Sequence, residues 1–270
     1  TVQHLEQAAI GSFVRQQRQK CRPEDFPTLV QRRRHVPHLT QADLAELAGV
    51  SEAAIAQIES SRYPNLNPNI LSRICLALNL SPVHRHYLLN LLSDPGGYYA
   101  GDDDIPQRVR AVVDMAQPRP AVVVNASLDI LYWNDAAAAV LADFAQMPSG
   151  DRNILKIMFC VPEARKLWVN WSSYVEDLVG GLKMQFSRVP DYRERISELV
   201  ARMQVESEEF ADLWKTVDPF ILPTVEKELD HPIAGRLRLD ETVSEVVGAP
   251  YLFIIQFTPR DDQTAVALQA

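Results

Sequence analysis

Gln41-Ala42-Asp43-Leu44-Ala45-Glu46-Leu47-Ala48-Gly49-Val50-Ser51, with Ile55-Ala56-Gln57-Ile58-Glu59 behind it, is the stretch that decides the fold of residues 1–95. Thr40-Gln41-Ala42-Asp43 has the form of a capping box, in which the Thr and Asp side chains satisfy each other's free backbone amides and start a helix. Leu44, Leu47 and Ala48 then form an apolar stripe. Gly49 stops it, because a left-handed turn is easiest without a side chain. Ser51 can cap a second helix, with Ile55 and Ile58 pointing inward. Small Ala45 allows close crossing of the two helices. The spacing predicts a helix-turn-helix, whose second helix turns Ser51, Glu52, Ala53, Ala56 and Gln57 outward, where a major groove would meet them.

Outward from this core, the periodicity predicts three more helices. Leu5, Ile10, Phe13 and Val14 mark the inner face of the first, with Arg15, Arg18 and Lys20 on its wetter side. Asn67-Pro68 and Ser81-Pro82 each place a cap before a proline in the first helical turn, a pattern favouring helix starts. Arg32-Arg33-Arg34 precedes the reader and suits phosphate or a minor groove, though such a run is also read as a solvated loop. Within the outward set, Gln57 is the residue able to read an adenine edge and Ala53 can meet a thymine methyl.

The whole segment resembles an Xre-type, lambda-repressor-like DNA-binding domain. That resemblance implies that Gln41 contacts a backbone phosphate and that Ser51, Glu52, Ala53 and Gln57 face bases; Arg62 completes the candidate DNA-contacting set. Ser61 stands where the family commonly has a helix-stopping glycine, which predicts a departure in that turn.

Charge divides the chain at the same place. Residues 1–95 carry 10 Lys and Arg against 8 Asp and Glu, whereas residues 96–270 carry 17 against 27, so only the first part suits a polyanion. Three of ten glycines fall within 93–104, beside an acidic run at Asp102–Asp104, which reads as a domain edge. The resulting expectation is a DNA-binding domain over 1–95, a linker over 96–117, a second domain over 118–262 and a tail over 263–270. Apolar residues at 47% and charged residues at 23% indicate a globular protein with a sizeable core. Apolar runs fall short of the roughly 18 residues a membrane helix needs, and the first residues lack signal-peptide features. Cys21, Cys75 and Cys160 are too far apart for a CxxC pair. A disulfide framework or structural zinc site is therefore not expected, and a cytoplasmic location is.

In the acidic half, Ala121–Val124 and Leu128–Trp133 read as strands joined by an Asn-Ala-Ser turn. Asn134 or Asp135 then caps an alanine-rich helix. Gly235–Leu239, Thr242–Val247 and Tyr251–Phe257 read as three more strands. A helical middle rich in aromatics lies between, with Ala164, Leu167, Trp168, Trp171, Val175, Leu178 and Leu182 on one face. The expected class is α+β: a five-helix N-terminal domain plus a C-terminal antiparallel sheet with helices on one face. All four tryptophans sit here, at 133, 168, 171 and 214, either as ordinary core or as the lining of an apolar cavity.

Strand, turn, strand, Trp133-Asn134 and an Ala-rich helix resemble the start of a PAS-type sensor domain. Arg152-Asn153-Ile154-Leu155, Asn170-Trp171, Phe210–Trp214 and His231–Gly235 resemble the ligand-binding domain of MmyB-like transcription regulators, and Arg32–Leu39 resembles the arginine-rich loop that precedes the reader in those proteins. The pattern departs at Val217-Asp218-Pro219, where that family usually reads His-Asp-Val. The resemblance implies a PAS-like fold taking a small apolar or fatty-acid-like ligand, with no other cofactor. Trp133, Leu155, Phe159, Trp168, Trp171, Val175, Phe186, Trp214 and Phe253 are expected to line its site. Asn134, Arg152, Asn153, Arg188 and His231 are candidate polar anchors, with Arg152 and Arg188 able to pair with a carboxylate head group. Each also has a local role open to it, such as helix capping or turn chemistry. His231 has no second residue at metal-ligand spacing.

Motifs for phosphate cradling, nucleophilic elbows and zinc proteolysis are absent, so an enzyme is not expected. The sequence points to a homodimeric regulator that binds double-stranded DNA and senses an apolar small molecule. The alternative is a constitutive DNA-binding regulator whose second domain is a dimerisation or protein-interaction module without ligand.

Overall fold

A computed structural model describes residues 2–29, 36–63, 66–92, 105–220 and 226–269. The chain divides into two compact units, Thr1–Gly97 and Tyr98–Ala270.

Among the described residues the first unit has five α-helices: α1 (Val2–Lys20), α2 (Gln41–Ala48), α3 (Glu52–Glu59), α4 (Pro68–Ala77) and α5 (Pro82–Leu91). Each start of α2 to α5 follows from its cap. Thr40 and Asp43 form the full capping box, while Ser51, Asn67 and Ser81 accept amide hydrogens from the first turns of their helices. Gly49 ends α2 in the left-handed conformation at φ 61°. Ile10, Phe13, Val14, Leu44, Ile55, Leu71, Ile74 and Leu88 are all buried in the core of this unit. Gly11 lets α1 lie directly on the last turn of α3. A β-carbon there would stand 2.4 Å from the Ile58 carbonyl oxygen.

The turn after α3 keeps the left-handed conformation at Ser61, φ 60°, despite the missing glycine. The departure expected there is thus met by strain rather than by a different turn. Ser61→Gly is expected to raise the stability of this unit by up to about 1 kcal/mol, read as a higher denaturation midpoint; a lower midpoint would show that the turn holds no strain.

The second unit is built on a five-stranded, wholly antiparallel PAS-like sheet. Its strands are β1 (Ala121–Asn125), β2 (Ile130–Trp133), β3 (Glu226–His231), β4 (Gly235–Val246) and β5 (Ala249–Pro259), in the order β2-β1-β5-β4-β3. The helices are α6 (Gln107–Asp114), α7 (Asp135–Val140), α8 (Ile154–Cys160), α9 (Pro162–Leu167), α10 (Trp171–Arg188), α11 (Arg193–Glu206), α12 (Glu208–Thr216) and α13 (Asp262–Ala267).

Four features differ from the sequence reading. First, 235–239 and 242–247 belong to one strand, β4, because Asp240 and Glu241 pair with Thr258 and Phe257 of β5 instead of turning. The fifth strand is the polar stretch Glu226–His231, whose Lys227 and Leu229 face inward. Second, α6 lies within the stretch read as linker, and α13 within or beside the stretch read as tail. Val109 and Val113 pack on Ala121, Val123, Leu252 and Ile254, so helices cover both faces of the sheet. This explains why all of β1 is buried and reads as an unbroken apolar run. Third, Trp168 does not share a helix with Trp171. It is extended, ends α9, and bridges to Leu229 of β3. Fourth, Arg18 of α1 is not on a wet face: it is 6% exposed.

Candidate functional site

In the first unit the candidate nucleic-acid interface is the outer face of α3. Ser51, Glu52, Ala53 and Gln57 are exposed, Ala56 is half-buried, and Arg62 is exposed just beyond the helix. Ser51 also caps α3, its hydroxyl accepting from the Ala54 amide at 3.1 Å. Arg32, Arg33 and Arg34 lie outside the described residues.

A buried ion pair that the sequence reading missed ties α3 to α1. Arg18 donates from Nε to Glu59 Oε1 at 2.6 Å and from Nη2 to Oε2 at 2.8 Å, and from Nη1 to the Leu39 carbonyl at 2.6 Å. Gln41 donates to Glu59 Oε2 at 2.8 Å, and half-exposed Arg15 stands 3.6 Å from the same oxygen. Residues of α1, α2 and α3 therefore meet on one carboxylate. Burial alone would raise the Glu59 pKa, but the hydrogen bonds from Arg18 and Gln41 and the charges of Arg18 and Arg15 hold it below its ordinary value. Gln41, the candidate phosphate contact, is thus tied by one amide hydrogen to the helix that carries the candidate base contacts. The available signal was spacing: Arg18 follows Ile10 and Val14 at helical intervals, as Glu59 follows Ile55.

In the second unit a cavity lies between the sheet and α8 and α10. Val122, Ile130, Ile255 and Phe257 form its floor, with Ile154, Ile157, Met158, Phe144, Trp168 and Tyr174 around it. Its lining is almost wholly apolar, but its volume is only about 40 Å³. That is room for little more than a water, against the roughly 300–1,000 Å³ of ordinary ligand pockets.

Among the residues expected at the ligand site, Trp168 lines this cavity, stacked on Tyr174 at 4.4 Å and edge-on to Phe257. Leu155, Val175 and Phe253 are buried core. Trp133 packs on Phe144, with the Arg152 guanidinium 5.3 Å from its ring centre. Phe159 and Trp214 pack instead on Phe210, Trp171 packs edge-on to Phe159, and Trp171 donates to the Met158 carbonyl at 2.9 Å. Phe186 is buried beneath Arg193.

The five candidate anchors are engaged locally. Asn134 caps α7 and also accepts from the Ala121 amide, while its own amide donates to the Val113 and Arg119 carbonyls. Asn153 caps α8 and donates to Ser127 O and Asp129. Arg152 Nε donates to the Phe144 and Met147 carbonyls at 2.8 and 3.0 Å. Arg188 is exposed and pairs with Glu245. The two arginines have different partners and are not drawn onto one point. His231 accepts at Nδ1 from the Ile233 and Ala234 amides, leaving Nε2 to donate to the Ala139 carbonyl at 3.1 Å. Among the described residues no cluster of three His, Cys, Asp or Glu side chains could hold a metal, and no helix is long and apolar enough to cross a membrane.

Sequence reasoning missed a buried charge cluster beside the cavity. Lys227 on β3 is 0% exposed and Glu241 on β4 is 4% exposed. The ammonium sits 3.2 Å from Glu241 Oε2, 3.7 Å from Asp177 Oδ2 and 4.0 Å from the centre of the Tyr174 ring. Close as these contacts are, Nζ makes no hydrogen bond of acceptable geometry among the described residues. Tyr174 donates to Glu241 Oε1 at 3.3 Å. Burial pushes the Glu241 and Asp177 carboxyls up, with Lys227 opposing, and burial followed by the charge of Glu241 pushes the Tyr174 phenol well up.

Residues 105–270 match a family model described as the MmyB-like transcription regulator ligand binding domain, and residues 9–88 match one described as a helix-turn-helix domain. No curated protein matches the chain.

Proposed function

The chain belongs to the family of MmyB-like transcription regulator ligand binding domains, and on that premise we propose that it senses a small apolar or fatty-acid-like molecule and answers by changing its hold on DNA. A helix-turn-helix unit that binds DNA and a unit that binds a small molecule make it a ligand-responsive transcription regulator, and both families point away from an enzyme. The proposed reader is α3, with Gln57 on an adenine edge, Ser51, Glu52, Ala53 and Ala56 beside it, and Gln41 and Arg62 on phosphate. The protein acts as a homodimer in the cytoplasm.

The observation that carries the ligand reading is the apolar cavity against the sheet, walled by Trp168, Tyr174 and the aliphatic face of α8. Because it holds only about 40 Å³, a guest enters only as α8 or α10 moves from the sheet. A guest of this kind favours one arrangement over another, and only such differential affinity can shift a population. A coupling of about 1–3 kcal/mol gives a 5- to 150-fold change in DNA affinity. The small volume of the cavity favours a second reading, a constitutive regulator whose sheet unit serves dimerisation. Organic extraction of the purified protein with mass spectrometry separates them: a stoichiometric apolar compound supports sensing, and a repeated blank supports the second.

On the DNA side, Gln57→Ala is expected to weaken operator binding about 10- to 100-fold, the cost of one lost base contact of about 1–3 kcal/mol. Binding to random DNA should scarcely change. Equal losses on both, measured by fluorescence anisotropy at fixed salt, would place Gln57 outside base reading.

A further inference from the structure

The carboxylate of Glu59 faces two guanidiniums, and the first of them already balances it. Arg18 takes both oxygens at hydrogen-bonding distance, and Gln41 takes Oε2 as well. Arg15 comes to that same oxygen last, with Nε at 3.6 Å, close enough for attraction but too far for a hydrogen bond. Its side chain is 53% exposed. The rest of α1 offers it no partner. Its neighbours at three and four residues are Ser12, Gly11, Arg18 and Gln19, and Glu6, the one acid of the helix, is more than two turns away. Asp43 on α2 is spent in the capping box, on the Thr40 amide and hydroxyl. Arg15 therefore keeps a solvent-facing charge with its donors unspent, beside the amide of Gln41.

The position of this charge relative to α3 gives it a use. Glu52, Ala56 and Glu59 recur at four and three residues and share one side of the helix. At about 1.5 Å per residue, Glu59 stands roughly 10 Å beyond Glu52 along the axis, on the scale of a major groove about 12 Å wide. With candidate base contacts in the first turn of α3, the backbone at the edge of the groove meets the far end of this stripe. Gln41 and Arg15 stand there together.

We infer that Arg15 binds a DNA backbone phosphate beside Gln41. The guanidinium supplies the charge and paired N–H donors that fit a phosphate, and Gln41 adds the amide hydrogen that Glu59 does not use. Glu59 keeps the arginine in place, while Arg18 leaves it free to act on another anion. The inference rests on the proposed placing of Gln41 on phosphate.

The test follows the full chain binding a fluorescein-labelled duplex of mixed sequence, by anisotropy over a range of salt concentrations. Loss of one charged phosphate contact makes the slope of log affinity against log salt shallower by about 0.9. Arg15→Gln is expected to show this change, and Arg15→Lys, which keeps the charge, to restore the slope. Arg22→Gln removes the same charge from another exposed site of this unit and should leave the slope in place. The unfolding midpoint of Arg15→Gln should hold, because Arg18 and Gln41 still bind Glu59. An unchanged slope for Arg15→Gln overturns the inference, as does an equal change for Arg22→Gln. A lowered midpoint with the natural slope would make Arg15 a stabilising partner of Glu59 and nothing more. Gln41→Ala removes a neutral contact and should weaken binding by one factor at every salt concentration. If it does not weaken binding, the phosphate role of Gln41 itself falls, a result read apart from the slope.

Discussion

Arg18→Met is expected to lower the stability of the N-terminal unit by about 3–5 kcal/mol, the range seen when one member of a buried ion pair is removed. The substitution keeps most of the apolar stem but leaves Glu59, 5% exposed, with Gln41 and the more distant Arg15 as its partners. It also frees the Leu39 carbonyl that Arg18 Nη1 holds. Hydrogen exchange over residues 2–92 of the full chain would read the loss where it occurs. A change below about 1 kcal/mol would mean that the pair contributes no more than a surface bridge. Adding Glu59→Met should recover much of the stability, because a pair replaced by apolar groups often costs little. It should not recover operator affinity, since Gln41 then loses the anchor that joins it to α3. The pH dependence has a fixed sign. The carboxyl of Glu59 lies below its ordinary value of 4.5 in the folded chain. Its contribution is therefore complete above that value and is lost as the pH falls through the lowered one. The double variant should show less acid destabilisation of this unit.

How much of this was legible beforehand follows from how local each cause is. Thr40 with Asp43, Gly49, Ser51, Asn67-Pro68 and Ser81-Pro82 act within four residues, so the helix-turn-helix could be read directly from the chain. Arg18 and Glu59 are 41 residues apart, and neither type announces burial, so the clamp on α3 was not seen. The same blindness hid β3. Glu226–His231 alternates, but its inward residues are Lys227 and Leu229, and a buried lysine breaks the apolar pattern by which strands are recognised. Asp240 and Glu241 looked like turn residues, whereas Glu241 points inward as the partner of that lysine. Both misreadings have one source, a charge pair that makes sense only when two distant strands are already side by side. Of the four tryptophans only Trp168 lines the cavity, while Trp133, Trp171 and Trp214 pack elsewhere. Asn134, Asn153 and His231 hold turns and helix starts, and those local roles fill their hydrogen bonds.

Trp168→Ala tests the hollow that function requires. Truncating a large buried ring is expected to cost about 3–5 kcal/mol through lost transfer energy and an unfilled void. Trp168 is 7% exposed, stacks on Tyr174 and meets Phe257 edge-on. Its backbone should stay in place, because the bridge to Leu229 and the bond from the Val169 amide to the Glu228 carbonyl do not involve the ring. The vacated space then joins the existing cavity of about 40 Å³, giving an apolar void that stays dry and takes an apolar guest. Dodecane or a small aromatic at about 100 times its dissociation constant should return about 2.7 kcal/mol. The midpoint of thermal unfolding would show this as a ligand-dependent rise, larger than in the natural protein at equal guest concentration. If the variant loses stability but no apolar guest restores any of it, the void has collapsed and the sheet unit has no hollow to offer. If it loses under about 1 kcal/mol, the ring is not filling a core at all. A guest-dependent recovery that also alters operator affinity would tie the movement of Trp168 to the hold of the reader on DNA.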